Sequence, residues 1–194
     1  ILYNKVRGIS SNSKKIKKDY IFVAIKGENF DGAEYIAEAE KLGAFLIIAE
    51  ESCNKKVFSI KKGTARQIYT LLLSSFYIKQ PKQIIGVTGT NGKTSTVEFC
   101  RQLWALAGWK AASMGTLGTK TETPLNKSVY KNKEENLTTF EPSDLYKKLN
   151  FLVEEKISHL ALEASSHGID QYRLDGVNFS GAVFTNLSHD HLDY

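Results

Sequence analysis

Ile84-Ile85-Gly86-Val87-Thr88-Gly89-Thr90-Asn91-Gly92-Lys93-Thr94 is the stretch that decides the fold. Its first five residues are an apolar run rich in β-branched side chains and read as a short buried strand. The chain then turns through Gly89 to Gly92. From Thr94 to Ala107 the apolar residues recur at helical spacing, with Gly108 placed as the C-terminal cap. Strand, glycine-rich turn and helix in that order make a phosphate loop. Gly89 and Gly92 allow backbone N–H groups to approach phosphate oxygens, and the helix aims the positive end of its dipole at the same place. Lys93 would neutralise the β- and γ-phosphates, and the Thr94 hydroxyl would ligate Mg²⁺. Gly89, Thr90, Asn91, Gly92, Lys93, Thr94 and Ser95 are therefore the candidate nucleotide-binding residues. The common loop pattern wants a glycine at position 87, where this chain has Val87. An ordinary glycine-rich turn before a helix is the competing reading.

Working outward, the apolar pattern alternates between two periods. Upstream, Tyr20 to Ile25 reads as a strand, and Ala33, Ile36 and Ala37 as a helical stripe stopping near Gly43. Ala44 to Ala49 reads as a second strand, and Ile68, Tyr69, Leu72 and Phe76 as another helix. Pro81 marks a boundary, because the residue before a proline avoids the helical region, so a domain junction is expected near residues 79–83. Downstream, Ala111 to Ser113 reads as a short strand and residues 117–136 as a polar loop or hairpin. Ser143 is placed as the cap of a helix carrying Leu145, Leu149, Leu152 and Val153. His159 to Glu163 and Gly181 to Thr185 read as two more buried strands. Strands alternating with helices predict an α/β fold with a mostly parallel sheet. The expected organisation is a small N-terminal α/β domain over residues 1–82, then the first part of a P-loop-type α/β ATPase domain over residues 83–194.

In a parallel sheet, segments that follow different strands share its carboxyl edge, where ligands bind. Leu162-Glu163-Ala164-Ser165-Ser166-His167-Gly168 and Thr185-Asn186-Leu187-Ser188-His189-Asp190-His191 would meet the phosphate loop there. Glu163 supplies a carboxylate suited to Mg²⁺. The imidazole of His191 is a less usual partner for that oxygen-seeking ion. Each has a plainer alternative, a solvated loop residue for Glu163 and a helix-capping segment for the acids around His191.

Composition excludes several classes. The chain has 194 residues, 42% hydrophobic and 24% charged, which is ordinary for a globular protein. The formal net charge is +5, but the lysines are scattered without interleaved aromatics, so they read as solvated surface rather than a nucleic-acid face. The longest apolar runs are too short to span a bilayer. Cys53 and Cys100 have no metal-ligand spacing and suit a reducing compartment. The start of the chain has no signal-peptide pattern. A monomer in the cytoplasm, binding neither nucleic acid nor membrane, is expected.

Thr88 to Thr94 resembles the ATP loop of the Mur ligases and of folylpolyglutamate synthase. Glu163-Ala-Ser-Ser-His-Gly-Ile-Asp-Gln-Tyr-Arg173 is very similar to the signature of the MurE-type branch. That resemblance implies that Glu163 and His191, with Thr94, hold magnesium, and that Ser165, Gln171 and Arg173 contact a UDP-linked substrate. An arginine suits such a substrate chemically, since its fork makes paired charged hydrogen bonds. A surface pairing of Arg173 with a carboxylate such as Asp175 is the alternative. Thr138 and Thr139 match the threonines of a family segment that meets the muramoyl group, whereas Leu137 departs from its asparagine. Gly8 to Lys14 resembles a first-domain run in which Ser11 and Ser13 would contact UDP, although Asn12 and Lys14 replace the usual acid and arginine. Glu28, Asn29 and Phe30 lie where MurE-type enzymes touch the uridine nucleotide.

The resemblance further implies an ATP-dependent amide ligase of peptidoglycan synthesis, with ATP and Mg²⁺ as cofactors. Its substrates would be UDP-N-acetylmuramoyl-dipeptide and a free amino acid, diaminopimelate or lysine. Lys93, Glu163 and His191 would carry the phosphoryl chemistry. Family members continue well beyond a segment of this length, so this chain is expected to be an N-terminal part with little ligase activity alone. The alternatives are another Mur-family ligase, or a P-loop nucleotide-binding module that does not ligate.

Overall fold

The structure is a computed structural model that describes residues 5–27, 30–122 and 138–188. The chain divides into two compact units, Ile1–Phe76 and Tyr77–Tyr194.

In the first unit, four strands form a parallel sheet in sequence order. They are β1 (Gly8–Ser10), β2 (Tyr20–Val23), β3 (Leu46–Glu50) and β4 (Phe58–Ile60). Side chains alternate between the two faces of a strand. One face gathers Phe22, Ala24, Ile47 and Ala49 with Ala39 and Ile36 of α1 (Ile36–Lys41). Ile21, Val23 and Ile48 fall on the other face. The longer helix α2 (Ala65–Phe76) contacts β1 and β3 and buries Ala65, Tyr69 and Leu73. A sheet buried on both faces explains why β2 and β3 are continuously apolar. Asp31 caps the 3-10 turn Gly32–Tyr35 that leads into α1, accepting a hydrogen bond from Ala33 N at 2.9 Å.

The second unit has a five-stranded sheet in the order β7-β6-β8-β5-β9. Its strands are β5 (Gln83–Thr88), β6 (Ala111–Gly115), β7 (Gly118–Thr121), β8 (His159–Glu163) and β9 (Gly181–Phe184). All neighbours are parallel except β6 and β7, which form an antiparallel hairpin whose second strand begins the segment 117–136 expected to be a loop or hairpin. The helix α3 (Lys93–Leu106) lies against β5, β6 and β8, where Val97 packs with Val87 and Ala161. Another helix, α4 (Pro142–Glu154), has no exposure at Leu145, Tyr146, Leu149 or Leu152, one face at helical spacing. Its cap is Glu141 rather than the expected Ser143, because Pro142 occupies the first helical turn, where its fixed φ and missing N–H cost nothing. Gly108 does follow α3, with φ of 84°. The five-residue α5 (Ser166–Asp170) was not expected. No described helix is long and apolar enough to cross a membrane.

Candidate functional site

In the second unit, strand polarity sets the site. Since β5, β6, β8 and β9 run parallel, their C-terminal ends share one edge. The segments after β5, β6, β8 and β9 are residues 89–92, 116–117, 164–165 and 185–188.

The phosphate loop joins β5 to α3 as expected. Gly89 has φ of 128° and Gly92 φ of 84°, both in the range that favours glycine. A Cβ at Gly89 would collide with the Thr185 hydroxyl, whereas one at Gly92 would meet nothing within 4 Å. The loop is therefore tight beneath and open in front of the helix. The N-cap residue of α3, Gly92, has no side chain to cap it, and the first N–H groups of a helix have no intrahelical partner. Together with the dipole, they form an anion-binding end. The Lys93 ammonium donates to the carbonyls of Gly89 at 2.6 Å and Thr90 at 2.9 Å, folded over the loop it would serve. Thr94 is half-buried and Ser95 exposed on the first turn.

The chain after β9 braces this loop, a role the sequence did not announce. Asn186 accepts from Asn91 N at 3.0 Å through its side chain and from Thr90 N at 3.1 Å through its carbonyl. The Thr185 hydroxyl donates to Asn91 O at 2.7 Å, and Ser188 N donates to the Thr90 hydroxyl at 3.0 Å. These contacts cross from one parallel strand end to its neighbour. The adjacency of Thr185-Asn186 to the carboxyl edge was legible, but its hydrogen bonds were not.

Glu163 ends β8 with 1% exposure. Its register partner is Val87, just before the phosphate loop. Thr116 brackets its carboxylate, with N–H donating to Oε1 at 3.0 Å and hydroxyl to Oε2 at 3.2 Å. None of the ion pairs among the described residues involves Glu163. A buried carboxylate without a counter-charge is costly, so this one fits a site that takes a cation. The described residues contain no cluster of three or more acidic, His or Cys side chains able to hold a metal alone. A cation here would draw its other ligands from the Thr94 hydroxyl, phosphate oxygens and water, as hard Mg²⁺ does. The residues present thus fit a magnesium nucleotide. His191 lies outside the described residues.

The predicted substrate residues of this unit form one network with Glu163. Thr139 has 2% exposure, and its hydroxyl contacts Glu163 O at 3.2 Å and the Ser165 hydroxyl at 2.9 Å. The Ser165 hydroxyl caps α5 by accepting from Gly168 N at 3.1 Å. Gly168 is required there, since a Cβ would strike the Thr139 side chain at 2.6 Å. Arg173 donates to Thr139 O at 2.9 Å and twice to Gln171 Oε1, at 3.1 and 2.7 Å. It also pairs with Glu141 at 3.0 Å, a carboxylate the sequence reading did not name. Its side chain is 15% exposed. Thr138 is half-buried, with its hydroxyl oxygen 3.2 Å from that of Thr116.

In the first unit, the candidate residues again follow strand ends. Ser11 is half-buried just after β1, and Ser13 is buried at the start of a 3-10 turn. Asn12 caps that turn by accepting from Lys14 N at 3.0 Å. Phe30 comes after β2 and is 61% exposed, and its carbonyl accepts from Gly27 N at 2.9 Å. Glu28 and Asn29 lie outside the described residues.

The Mur ligase middle domain profile matches residues 87–194, and the Mur ligase family catalytic domain profile matches residues 5–74. A UDP-N-acetylmuramoyl-L-alanyl-D-glutamate–2,6-diaminopimelate ligase of Brucella melitensis is 42% identical over 193 residues, covering 98% of this chain and 38% of that protein. The protein of the same name from Rickettsia prowazekii is 39% identical over 193 residues, covering 98% and 39%. The chain thus spans under two-fifths of the relatives it matches. The solved structure of a UDP-N-acetylmuramoyl-L-alanyl-D-glutamate–2,6-diaminopimelate ligase superposes with a TM-score of 0.76 at 29% identity, over 96% of this chain and 37% of that one. The MurF ligase of Thermotoga maritima shares the fold, with a TM-score of 0.57 at 24% identity over 95% and 38%.

Proposed function

Given that the chain belongs to the Mur ligase family, we propose that it forms part of a MurE-type enzyme. That enzyme joins the third stem-peptide amino acid to UDP-N-acetylmuramoyl-dipeptide at the expense of ATP. The observation that carries this reading is the network just described. Glu163 is held by Thr116 and tied through Thr139, which also meets Ser165, to Arg173, at the same sheet edge as the phosphate loop. One edge then offers a nucleotide subsite and, beside it, a polar subsite. An acyl-phosphate reaction needs that juxtaposition, because its positioning does most of the catalysis.

In this account residues 83–194 begin the ATP domain and residues 1–82 bind the UDP end, with the exposed Phe30 ring offering a stacking surface. Lys93 leaves its loop carbonyls to meet the β- and γ-phosphates. The N-terminal amides of α3 hold phosphate oxygens. Thr94, Glu163 and His191 would hold the magnesium ion, which would reduce the repulsion between the nucleotide and the attacking carboxylate. Ser165, Thr138, Thr139, Gln171 and Arg173 fix the muramoyl-peptide so that its terminal carboxylate faces the γ-phosphorus. A carboxylate oxygen attacks phosphorus and ADP leaves. The amine then attacks the acyl carbon, loses a proton, and inorganic phosphate departs with the former carboxylate oxygen. The names of the relatives support diaminopimelate as the amine. Two free cysteines support the cytoplasm as its location.

The test is product formation by the full-length protein given ATP, UDP-N-acetylmuramoyl-dipeptide and either diaminopimelate or lysine. The UDP-tripeptide and ADP should form in equal amounts, faster with diaminopimelate. ATP hydrolysis indifferent to the UDP-peptide and to the amine would instead mark a nucleotide-binding module.

A further inference from the structure

Thr116 has no part in the phosphate loop and none in the substrate-binding set, yet it touches both sides of the site. Its N–H and hydroxyl are the two donors that hold the buried Glu163 carboxylate, at 3.0 and 3.2 Å. An ionised carboxylate offers about four acceptor sites, so these bonds fix its plane and leave lone pairs for a cation. The backbone is shaped to the same end. Gly115 precedes Thr116 at the end of β6, and a Cβ there would collide with the Glu163 carboxylate. On its far side, the Thr116 hydroxyl oxygen lies 3.2 Å from the hydroxyl of Thr138. A threonine hydroxyl has one hydrogen. That one hydrogen lies between two acceptors, the Glu163 carboxylate and the Thr138 hydroxyl, so the Thr116 side chain bridges them.

We infer that Thr116 is a positioning residue. It presents the Glu163 carboxylate to the magnesium ion and couples that metal ligand to the substrate-facing Thr138. The inference rests on the proposed role of Glu163 as a metal ligand. Groups that orient a metal ligand from behind change metal affinity without touching the metal, by about ten- to a hundredfold when removed. A packing role for Thr116 predicts otherwise, since valine has nearly its shape.

The experiment is calorimetric titration of ADP into the full-length protein at a series of Mg²⁺ concentrations. Thr116→Val should raise the Mg²⁺ concentration needed for tight ADP binding by about ten- to a hundredfold, with metal-free ADP affinity unchanged. Thr116→Ser, which keeps the hydroxyl, should restore the wild-type dependence. Should the valine variant not fold by circular dichroism, Thr116→Ala against Thr116→Ser makes the same comparison. Glu163→Gln serves as the reference. If it moves the Mg²⁺ dependence and Thr116→Val does not, the inference about Thr116 is overturned while the reading of Glu163 stands. If Glu163→Gln leaves the dependence unchanged, Glu163 is not the metal ligand and both fall. Equal loss of metal-free and metal-bound ADP affinity, or a serine variant as impaired as valine, would make Thr116 merely structural.

Discussion

Two cations are proposed to divide the work of the site, and their surroundings predict different losses. Among the described residues, Lys93 hydrogen-bonds through its ammonium to two loop carbonyls, so Lys93→Ala should remove no core contact. It should fold with an unchanged melting temperature and lose ATP-dependent turnover by several orders of magnitude, as expected of a group that neutralises charge in phosphoryl transfer. Kinetics beside a thermal melt checks both halves. Arg173 is different, since its guanidinium already serves Thr139, Gln171 and Glu141. Arg173→Ala should raise the KM for the UDP-peptide by about ten- to a hundredfold, the loss of one charged hydrogen bond. It should also lower the melting temperature, because Thr139 O loses its donor, while the KM for ATP changes little. Lysine should rescue neither effect, because an ammonium cannot span the three partners. Steady-state kinetics with each substrate varied in turn decides. Lys93 was legible in sequence because its motif is local. The partners of Arg173 were not, since Glu141 and Thr139 reach it from another loop 32 and 34 positions away.

Among the elements, what was legible followed apolar content. The strands β2, β3, β5, β6, β8 and β9 and the helices α2 and α3 each announce themselves by periodicity or by a continuous apolar run. The three-residue strands β1 and β4 and the five-residue α5 do not. They exist because a neighbour, or the Ser165 cap, completes them. Thr116 was hidden for the same kind of reason. Only the pairing of β6 with β8 brings it to Glu163, 47 positions on. The brace after β9 gives an element-scale prediction. Asn186→Ala should weaken ADP binding several-fold with little change in the UDP-peptide KM, because it removes the side chain that accepts from the Asn91 amide and donates to the Asn91 carbonyl. Calorimetry with ADP checks it. The opposite end of β8 gives a pH prediction. His159 stacks on Trp109 at 4.4 Å, approaches Trp104 at 5.2 Å and contacts the Ser158 hydroxyl. Burial, with the charge of Lys82, holds its imidazole below the usual 6.5. The folded state therefore resists protonation, so stability present above pH 6.5 should be lost as pH falls through the depressed value. Melting temperatures between pH 7 and 5 should decline, and His159→Gln should flatten that decline. Glu98 adds a separate phase at lower pH. Burial raises its carboxyl, but hydrogen bonds from Ser113 and Arg101 and the charges of Arg101 and Lys120 outweigh it and leave it below 4.5. Its stabilising contribution should be lost only as pH falls through that lowered value.

At the scale of the whole molecule, each of two units carries candidate ligand residues at its sheet's carboxyl edge, so the two ligands should leave separable marks. Hydrogen exchange should slow around Ser11, Ser13 and Phe30 with UDP alone, and around residues 89–95 and Asn186 with magnesium ADP. UDP protecting only the second unit would reverse the assignment of the domains. At the edge of the second sheet, a substrate carboxylate is proposed to attack the γ-phosphate. Oxygen bookkeeping tests it directly. The full-length protein is given UDP-N-acetylmuramoyl-dipeptide labelled with ¹⁸O in its terminal carboxylate, together with ATP and diaminopimelate, and the released phosphate is weighed by mass spectrometry. The account predicts one ¹⁸O atom in the phosphate for each amide formed. Unlabelled phosphate accompanying amide formation would contradict it.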